Sequence, residues 1–397
     1  MFRKMGIFRW MLAGVLMLAL AGLSSAQGEE VPGVTEDTIK LGSFIAQSGP
    51  VAPIGIPVLH GAQTWYNFVN DEWGGIHGRK IEFIALDDAF DPAKTVSAVK
   101  RLVEDEKVFA IVNPLGTITY AAVFDYLVEN GVPVVSPHGN AVFMCQPTVR
   151  TAFSLQPNNL AFGRTLAQYA VMRLGAKKIG ITYIGDLFGE ELKGFVLEEL
   201  QRLGVEPVAV VTYPLGEVSF SSYVLQLRAA EADTVILLGY LADGAAILKE
   251  AEALGYRPQW LGTNTLTDLT LFTLAGVTAA EGLIATGFAL DPATPYHPAA
   301  YLFRHLLERY FPGEVPSGYS EIAYVGAQMV VDALVLAGPD LTREGFIQAL
   351  ETFNDWEHGL TPPITYSAED HCGIENLWLI QARDGTFVFL EEWELKD

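Results

Sequence analysis

Short β-rich runs alternate with amphipathic helical stretches over residues 39–136, and the same alternation restarts at residue 156 and continues to 288. A chain patterned in this way folds as parallel sheets covered by helices on both faces, with right-handed crossovers between successive strands. In the first block, IKLGSFIA at 39–46 predicts a strand. Residues 60–73 predict a helix, because Ala62, Trp65, Val69 and Trp73 keep helical spacing. Further strands are expected at 81–86, 108–112 and 132–136, separated by a helix that Asp91 caps and Pro92 opens and by another beginning near Thr117. In the second block, helices reaching residue 174 and spanning 188–203 alternate with strands at 179–184, 205–212, 234–238, 260–262 and 282–288. Two such blocks predict an α/β protein of two doubly wound parallel-sheet lobes.

Beyond residue 288 the pattern changes. Residues 298–310, 319–337 and 342–353 read as consecutive helices with no strand between them, so they are expected to pack back on the first lobe. The tail, at 376–382 and 386–392 around Asp384-Gly385, predicts a β-hairpin with a type I′ turn that needs a sheet to join. The chain is therefore expected to cross between lobes near Leu155, Gly287 and Ile364. That gives an N-terminal lobe of 38–155 plus 288–364 and a C-terminal lobe of 156–287 plus 365–397.

The first 26 residues carry Arg3, Lys4 and Arg9, then an apolar run over 10–23, then Ser24-Ser25-Ala26. This predicts a secretory signal peptide cleaved near Ala26 rather than a membrane anchor, since a span needs roughly 20 apolar residues. The protein is expected in the periplasm or outside the cell. Its formal charge of −22 repels nucleic acid and anionic membrane surfaces. Two cysteines remain, Cys145 and Cys372, and an oxidising compartment favours one disulfide between them over two separate buried thiols.

In open parallel sheets, ligands bind beyond the carboxyl ends of the strands. In the first block those ends deliver Gln47-Ser48-Gly49-Pro50, Asp87-Asp88, Asn113-Pro114-Leu115-Gly116-Thr117 and Ser136-Pro137-His138-Gly139-Asn140. In the second they deliver Asp186-Leu187-Phe188-Gly189, Gly239-Tyr240 and Gly262-Thr263-Asn264. Such groups suit hydrogen bonding and stacking on a small polar molecule. Gly-x-Ser-x-Gly, Gly-x-Gly-x-x-Gly, the phosphate-loop Gly-Lys-Ser/Thr and His-Glu-x-x-His are all absent from the sequence, and no two histidines stand at ligand spacing on one helix. No catalytic residue, metal or cofactor is expected. Asp87 and Asp88 point to opposite faces of a strand, so they are no acid/base dyad. Glu369-Asp370-His371 reads as a polar turn.

IKLGSFIAQSGPVA, VNDEWGGIHGRKIEFIALDDAFDPAKTV, GVPVVSP and DHCGIENLWLIQARDG are spread through residues 39–393. Together they resemble the leucine/isoleucine/valine-binding type of periplasmic solute-binding protein, which feeds ATP-driven importers. The resemblance implies the type I periplasmic binding protein fold, with a three-crossover hinge, a solute clamped between lobes and an ABC permease as membrane partner. By motif it implies ligand contacts at Ser48, at Leu115, Gly116 and Thr117, at His138, Gly139 and Asn140, and in the second lobe at Phe188, Tyr240 and Asn264.

One departure stands out. Where amino-acid binders of that family commonly place a carboxylate for the ligand's ammonium, this sequence has Thr263-Asn264, which weakens an α-amino acid assignment unless Asp186 or Asp243 supplies the charge. Ile54, where some relatives carry an aromatic lid residue, points to a different pocket wall. The expectation is an importer's binding component for a small polar organic solute: a branched-chain amino acid, an amide or a carboxylic acid. The alternative is a sensor of the same fold that feeds a signalling receptor. An extracytoplasmic enzyme would need a nucleophile with a base, and the sequence offers none.

Overall fold

The computed structural model describes residues 31–290, 296–374 and 377–396. The signal segment, its cleavage site and Asn376 lie outside the described residues. Two sheets form. The first contains β1 (Thr38–Ile45), β2 (Lys80–Asp87), β3 (Ala110–Val112), β4 (Val134–Val135) and β5 (Ala152–Phe153), all parallel, in the order β2-β1-β3-β4-β5. The second contains β6 (Ile179–Ile184), β7 (Ala209–Tyr213), β8 (Thr234–Leu238), β9 (Gln259–Gly262), β10 (Ile284–Gly287), β11 (Leu377–Arg383) and β12 (Thr386–Trp393), in the order β12-β11-β10-β9-β8-β6-β7. Every residue of β6 and β8 is buried, as expected of strands covered by helices on both faces. The two-residue β5 has no sequence signal because it is too short to show a period.

The tail hairpin completes the second sheet. Asp384 and Gly385 have φ of 51° and 79°, the pair of left-handed residues that a type I′ turn requires. β11 runs antiparallel beside β10, with Ile284 opposite Gln381 and Gly287 opposite Trp378.

Helix α1 (Ala52–Phe68) begins well before residue 60. Pro53 and Pro57 argue against a helix there, yet Pro53 sits in the first turn, where no N–H is needed. Gly55 lets this turn lie on β1's exit, since a Cβ would come within 1.8 Å of the Ala46 carbonyl oxygen. Helix α2 (Pro92–Lys100) is opened by Asp91, whose Oδ1 accepts from the Ala93 N–H at 2.8 Å. Asp88, fully buried, accepts from Thr95 Oγ1 at 2.8 Å, while the exposed Asp87 accepts from Ser48 Oγ at 2.6 Å, so the two carboxylates serve separate loops.

The remaining helices are α3 (Thr117–Ala121), α4 (Phe124–Glu129), α5 (Asn159–Gln168), α6 (Leu187–Arg202), α7 (Ser221–Ala229), α8 (Leu241–Ala253), α9 (Thr270–Ala275), α10 (Val277–Ala280), α11 (Pro298–Tyr310), α12 (Gly318–Ala337) and α13 (Arg343–Leu350). By length and composition α12 is apolar enough to cross a membrane, but here most of it is buried in the protein. It lies against α1: a Cβ on Gly61 would meet the Ser320 carbonyl oxygen at 2.0 Å, and the Trp65 and Tyr324 rings stand 5.4 Å apart. Asn113 Nδ2 donates to the Ala323 carbonyl at 3.0 Å and ties α12 to the end of β3. The helices-only segment thus covers the first sheet.

Cys145 and Cys372 are joined by a disulfide across 227 residues. Beside it the Ser154 N–H donates to the His371 carbonyl at 3.0 Å and Tyr366 Oη donates to the Ser154 carbonyl at 2.9 Å, so two passages of the chain are stitched together at β5. His371 is fully buried there. Its Nδ1 lies 3.1 Å from the Val149 and Ala152 carbonyls and its ring stacks on Phe153 at 3.8 Å, a structural role at the end of a turn that Ser367 and Asp370 close.

Candidate functional site

A cavity of about 470 Å³ opens between the two sheets, at the carboxyl ends of their parallel strands. Of the residues expected there, Leu115, Gly116, Thr117, His138, Gly139, Asn140, Phe188, Tyr240 and Asn264 all line it. Ser48 does not. Its hydroxyl is turned away onto Asp87, whose Oδ1 also accepts from the Gln47 N–H at 2.8 Å, so this loop is fastened to the end of β2.

The first-lobe wall is held by backbone pairing. The Gly116 N–H donates to the His138 carbonyl at 2.9 Å and the His138 N–H to the Pro114 carbonyl at 2.7 Å, which locks the loops after β3 and β4 together. Gly116, at φ 107°, is the N-cap of α3 without a side-chain cap, so Thr117 is the first helical residue and its hydroxyl does no capping. Asn140 lines the cavity, but its Nδ2 donates to the Pro157 carbonyl at 2.8 Å and to Gln156 Oε1 at 3.2 Å, which anchors the start of the second block.

The second-lobe wall is aromatic. Phe188 and Tyr240 stack at 5.2 Å with 14° between planes, and Tyr240 Oη donates to Asp186 Oδ2 at 2.8 Å. From the other lobe Phe90 meets Tyr240 edge-on at 5.7 Å. Phe90 carried no sequence signal. Its ring is turned inward because it sits at φ 59° with its N–H donating to Asp88 Oδ1 at 2.9 Å. Tyr319 Oη, on α12, likewise crosses the cleft to the Thr265 carbonyl at 2.9 Å. Trp378, Ile380, Phe387 and Phe389 complete the wall. Their alternation was legible, but not which face of the hairpin meets the cleft.

Neither lysine nor arginine lines the cavity among the described residues. Asp186 and Asp243, considered above as sources of negative charge, stand outside its wall. Burial raises both carboxyls, that of Asp243 to about 6. The carboxylate in the wall is Asp268, which sequence reasoning missed. It is buried and accepts from the Thr270 N–H at 2.8 Å and the Gly318 N–H at 3.2 Å, bridging the loop after β9 to the start of α12. Among the described residues no cluster of His, Cys, Asp and Glu could hold a metal ion.

Burial pushes the His138 imidazole down from 6.5 to about 3, so it lines the cavity as a neutral ring, and its Nε2 is buried without a hydrogen-bond partner. Asn264 Oδ1 is in the same condition. A buried polar atom without a partner is costly, and a ligand group that supplies one recovers that cost. Between pH 6.5 and 3 the native state binds fewer protons at His138 than the unfolded chain, so its contribution is complete above 6.5 and is lost on acidification. Asp243 acts in the opposite sense between 3.8 and about 6, so the comparison must be made by variant. His138→Asn is expected to lose less melting temperature than the wild type between about pH 7 and pH 4. Equal losses in calorimetry would show that the ring is not held neutral.

The sequence matches the family model described as periplasmic binding protein over residues 38–386. It is 28% identical to the Leu/Ile/Val-binding protein of Citrobacter freundii over 276 residues, 70% of this chain and 72% of that one. It is 26% identical to Leu/Ile/Val-binding protein homolog 3 of Brucella melitensis, covering 96% of this chain and 99% of that one. Among solved structures, the fatty acid ABC transporter substrate-binding protein from Thermomonospora curvata superposes with a TM-score of 0.84 at 24% identity, covering 93% of this chain and 95% of that one. A branched-chain amino acid ABC transporter protein from Thermus thermophilus with bound valine superposes with a TM-score of 0.83 at 20% identity, covering 90% and 97%. The two-lobed α/β fold shared with these structures and the match along most of its length place this chain in the periplasmic binding protein family.

Proposed function

We propose that this chain is the extracytoplasmic solute-binding component of an ABC importer, and that it closes on an organic carboxylic acid or amide with a sizeable apolar part. The lobes divide at 155/156, 287/288 and 364/365, and the crossings form the hinge. One observation carries the reading: a single cavity walled by both lobes, in which neutral polar groups (Thr117, His138, Asn264) face a surface that is otherwise mainly aromatic and aliphatic. A carboxylate is held by neutral donors such as the Thr117 hydroxyl and a protonated Nε2 of His138, each charge-assisted hydrogen bond contributing about 1.5–3 kcal/mol, whereas the Asn264 Oδ1 acceptor would take an N–H of an amide. Contacts such as Phe90 on Tyr240 and Tyr319 on Thr265 join the lobes across the cleft. A solute touching both walls therefore shifts the population toward the shut form.

Asp268 favours a second reading, an α-amino acid whose ammonium it would pair, in line with the Leu/Ile/Val relatives. Native mass spectrometry of the solute that copurifies, followed by calorimetry with leucine, its deaminated acid and its amide, separates the two. The acid is expected to bind at least as tightly as leucine, and a clear preference for leucine moves the assignment to the second reading. Genes for permeases and ATPases beside its own would separate importer from sensor.

A further inference from the structure

The cavity runs well past the polar groups. Strands β8, β9, β10, β11 and β12 lie side by side, and each contributes to the wall: Tyr240 after β8, Asn264 after β9, Phe288 after β10, then the hairpin. Neighbouring strands are about 4.8 Å apart, so the four steps from β8 to β12 carry the wall through about 19 Å. One amino-acid residue, fully extended, covers about 3.5 Å.

The far part of this wall is a largely apolar face, with the exposed Glu392 opposite Trp378 at its margin, beyond a register shift at Leu379/Ile380. Alternate residues of a strand share a face, and so do residues directly opposite in an antiparallel pair. Ile380 stands opposite Phe389 and Ala382 opposite Phe387, so Trp378, Ile380, Phe387 and Phe389 all project to one side. The Trp378 and Phe389 rings meet edge-on at 6.3 Å, and Phe272 of α9 backs Phe387 at 5.0 Å. Phe389 lines the cavity and is 62% exposed.

We infer that this hairpin face is a second subsite, which takes the unbranched hydrocarbon tail of an acid whose polar head lies at Thr117 and His138. The inference rests on the solute-binding reading above and specifies its substrate class. The part of this face that Phe272 does not cover, Phe389 above all, would otherwise meet water, and a tail lying along it removes both surfaces from solvent. Selectivity for chain length follows, because each added methylene reaches further along the same wall.

Calorimetry with straight-chain alkanoates of increasing length tests this on the mature protein. Affinity is expected to tighten about threefold to fourfold per added methylene and to level off once the tail passes Phe389. Phe389→Glu, a substitution at an exposed position that leaves the melting curve in place, is expected to flatten the series, cutting the long-to-short affinity ratio about tenfold. Trp378→Ala does the same from deeper in the wall. Equal affinity at every length overturns the tail subsite while leaving capture of a small acid intact. If no alkanoate binds and a solute of another class is recovered by native mass spectrometry, both the subsite and the acid assignment fall.

Discussion

Tyr240→Ala is expected to weaken solute binding by about 10–100-fold while the protein stays folded, an effect of the size seen when a central aromatic anchor is truncated. The ring does two things at once. It stacks on Phe188 at 5.2 Å to form the second-lobe wall, and it receives the edge of Phe90 from the first lobe at 5.7 Å. Removing it takes contact area from the solute and also from the shut form of the protein, so the two losses add in the apparent affinity. Tyr240→Phe is the control. It keeps both ring contacts and loses only the donation to Asp186 at 2.8 Å, so it should retain most of the affinity. Calorimetry with the copurifying solute decides the matter. Unchanged affinity in Tyr240→Ala would remove the residue from the site.

The disulfide sets the second large effect. Cys145 and Cys372 close a loop of 227 residues, and in the chain-entropy account a loop of that length stabilises the native state by about 5 kcal/mol. Replacing both cysteines with serine is expected to lower the melting temperature by about 6 °C, given the unfolding entropy of a chain this long. Thiol titration of the unfolded, unreduced protein should find close to none. Two reactive thiols, or a melting temperature that reductant leaves unchanged, would reject the bridge. Solute affinity is expected to change far less than stability, because neither cysteine lines the cavity.

Periodicity made much of this architecture readable. β6, β8 and α11 fall where their patterns put them, because strands buried on both faces and a helix with one apolar stripe advertise their periods. The loops at the strand ends were equally legible, since parallel sheets gather them at one edge. Failures came where a tertiary contact outweighed the local signal. The start of α1 is hidden by two prolines and held by Gly55 against Ala46. Ser48 has the right chemistry for a ligand, but Asp87 takes its hydroxyl. Phe90 and Asp268 enter the cavity through loop conformation alone, Phe90 through a left-handed backbone and Asp268 through N–H groups on two elements, one of them 50 residues distant. No spacing rule reports such placements.

β11 lies beside β10, yet three helices intervene between them in the chain. Neither half of the molecule can therefore be excised as one uninterrupted stretch. A fragment ending after β10 would present a naked strand edge to its neighbours, which invites self-association. Swapping specificity between relatives requires three junctions to be matched at once, and grafting only the hairpin is the smallest exchange that would re-line one side of the chamber.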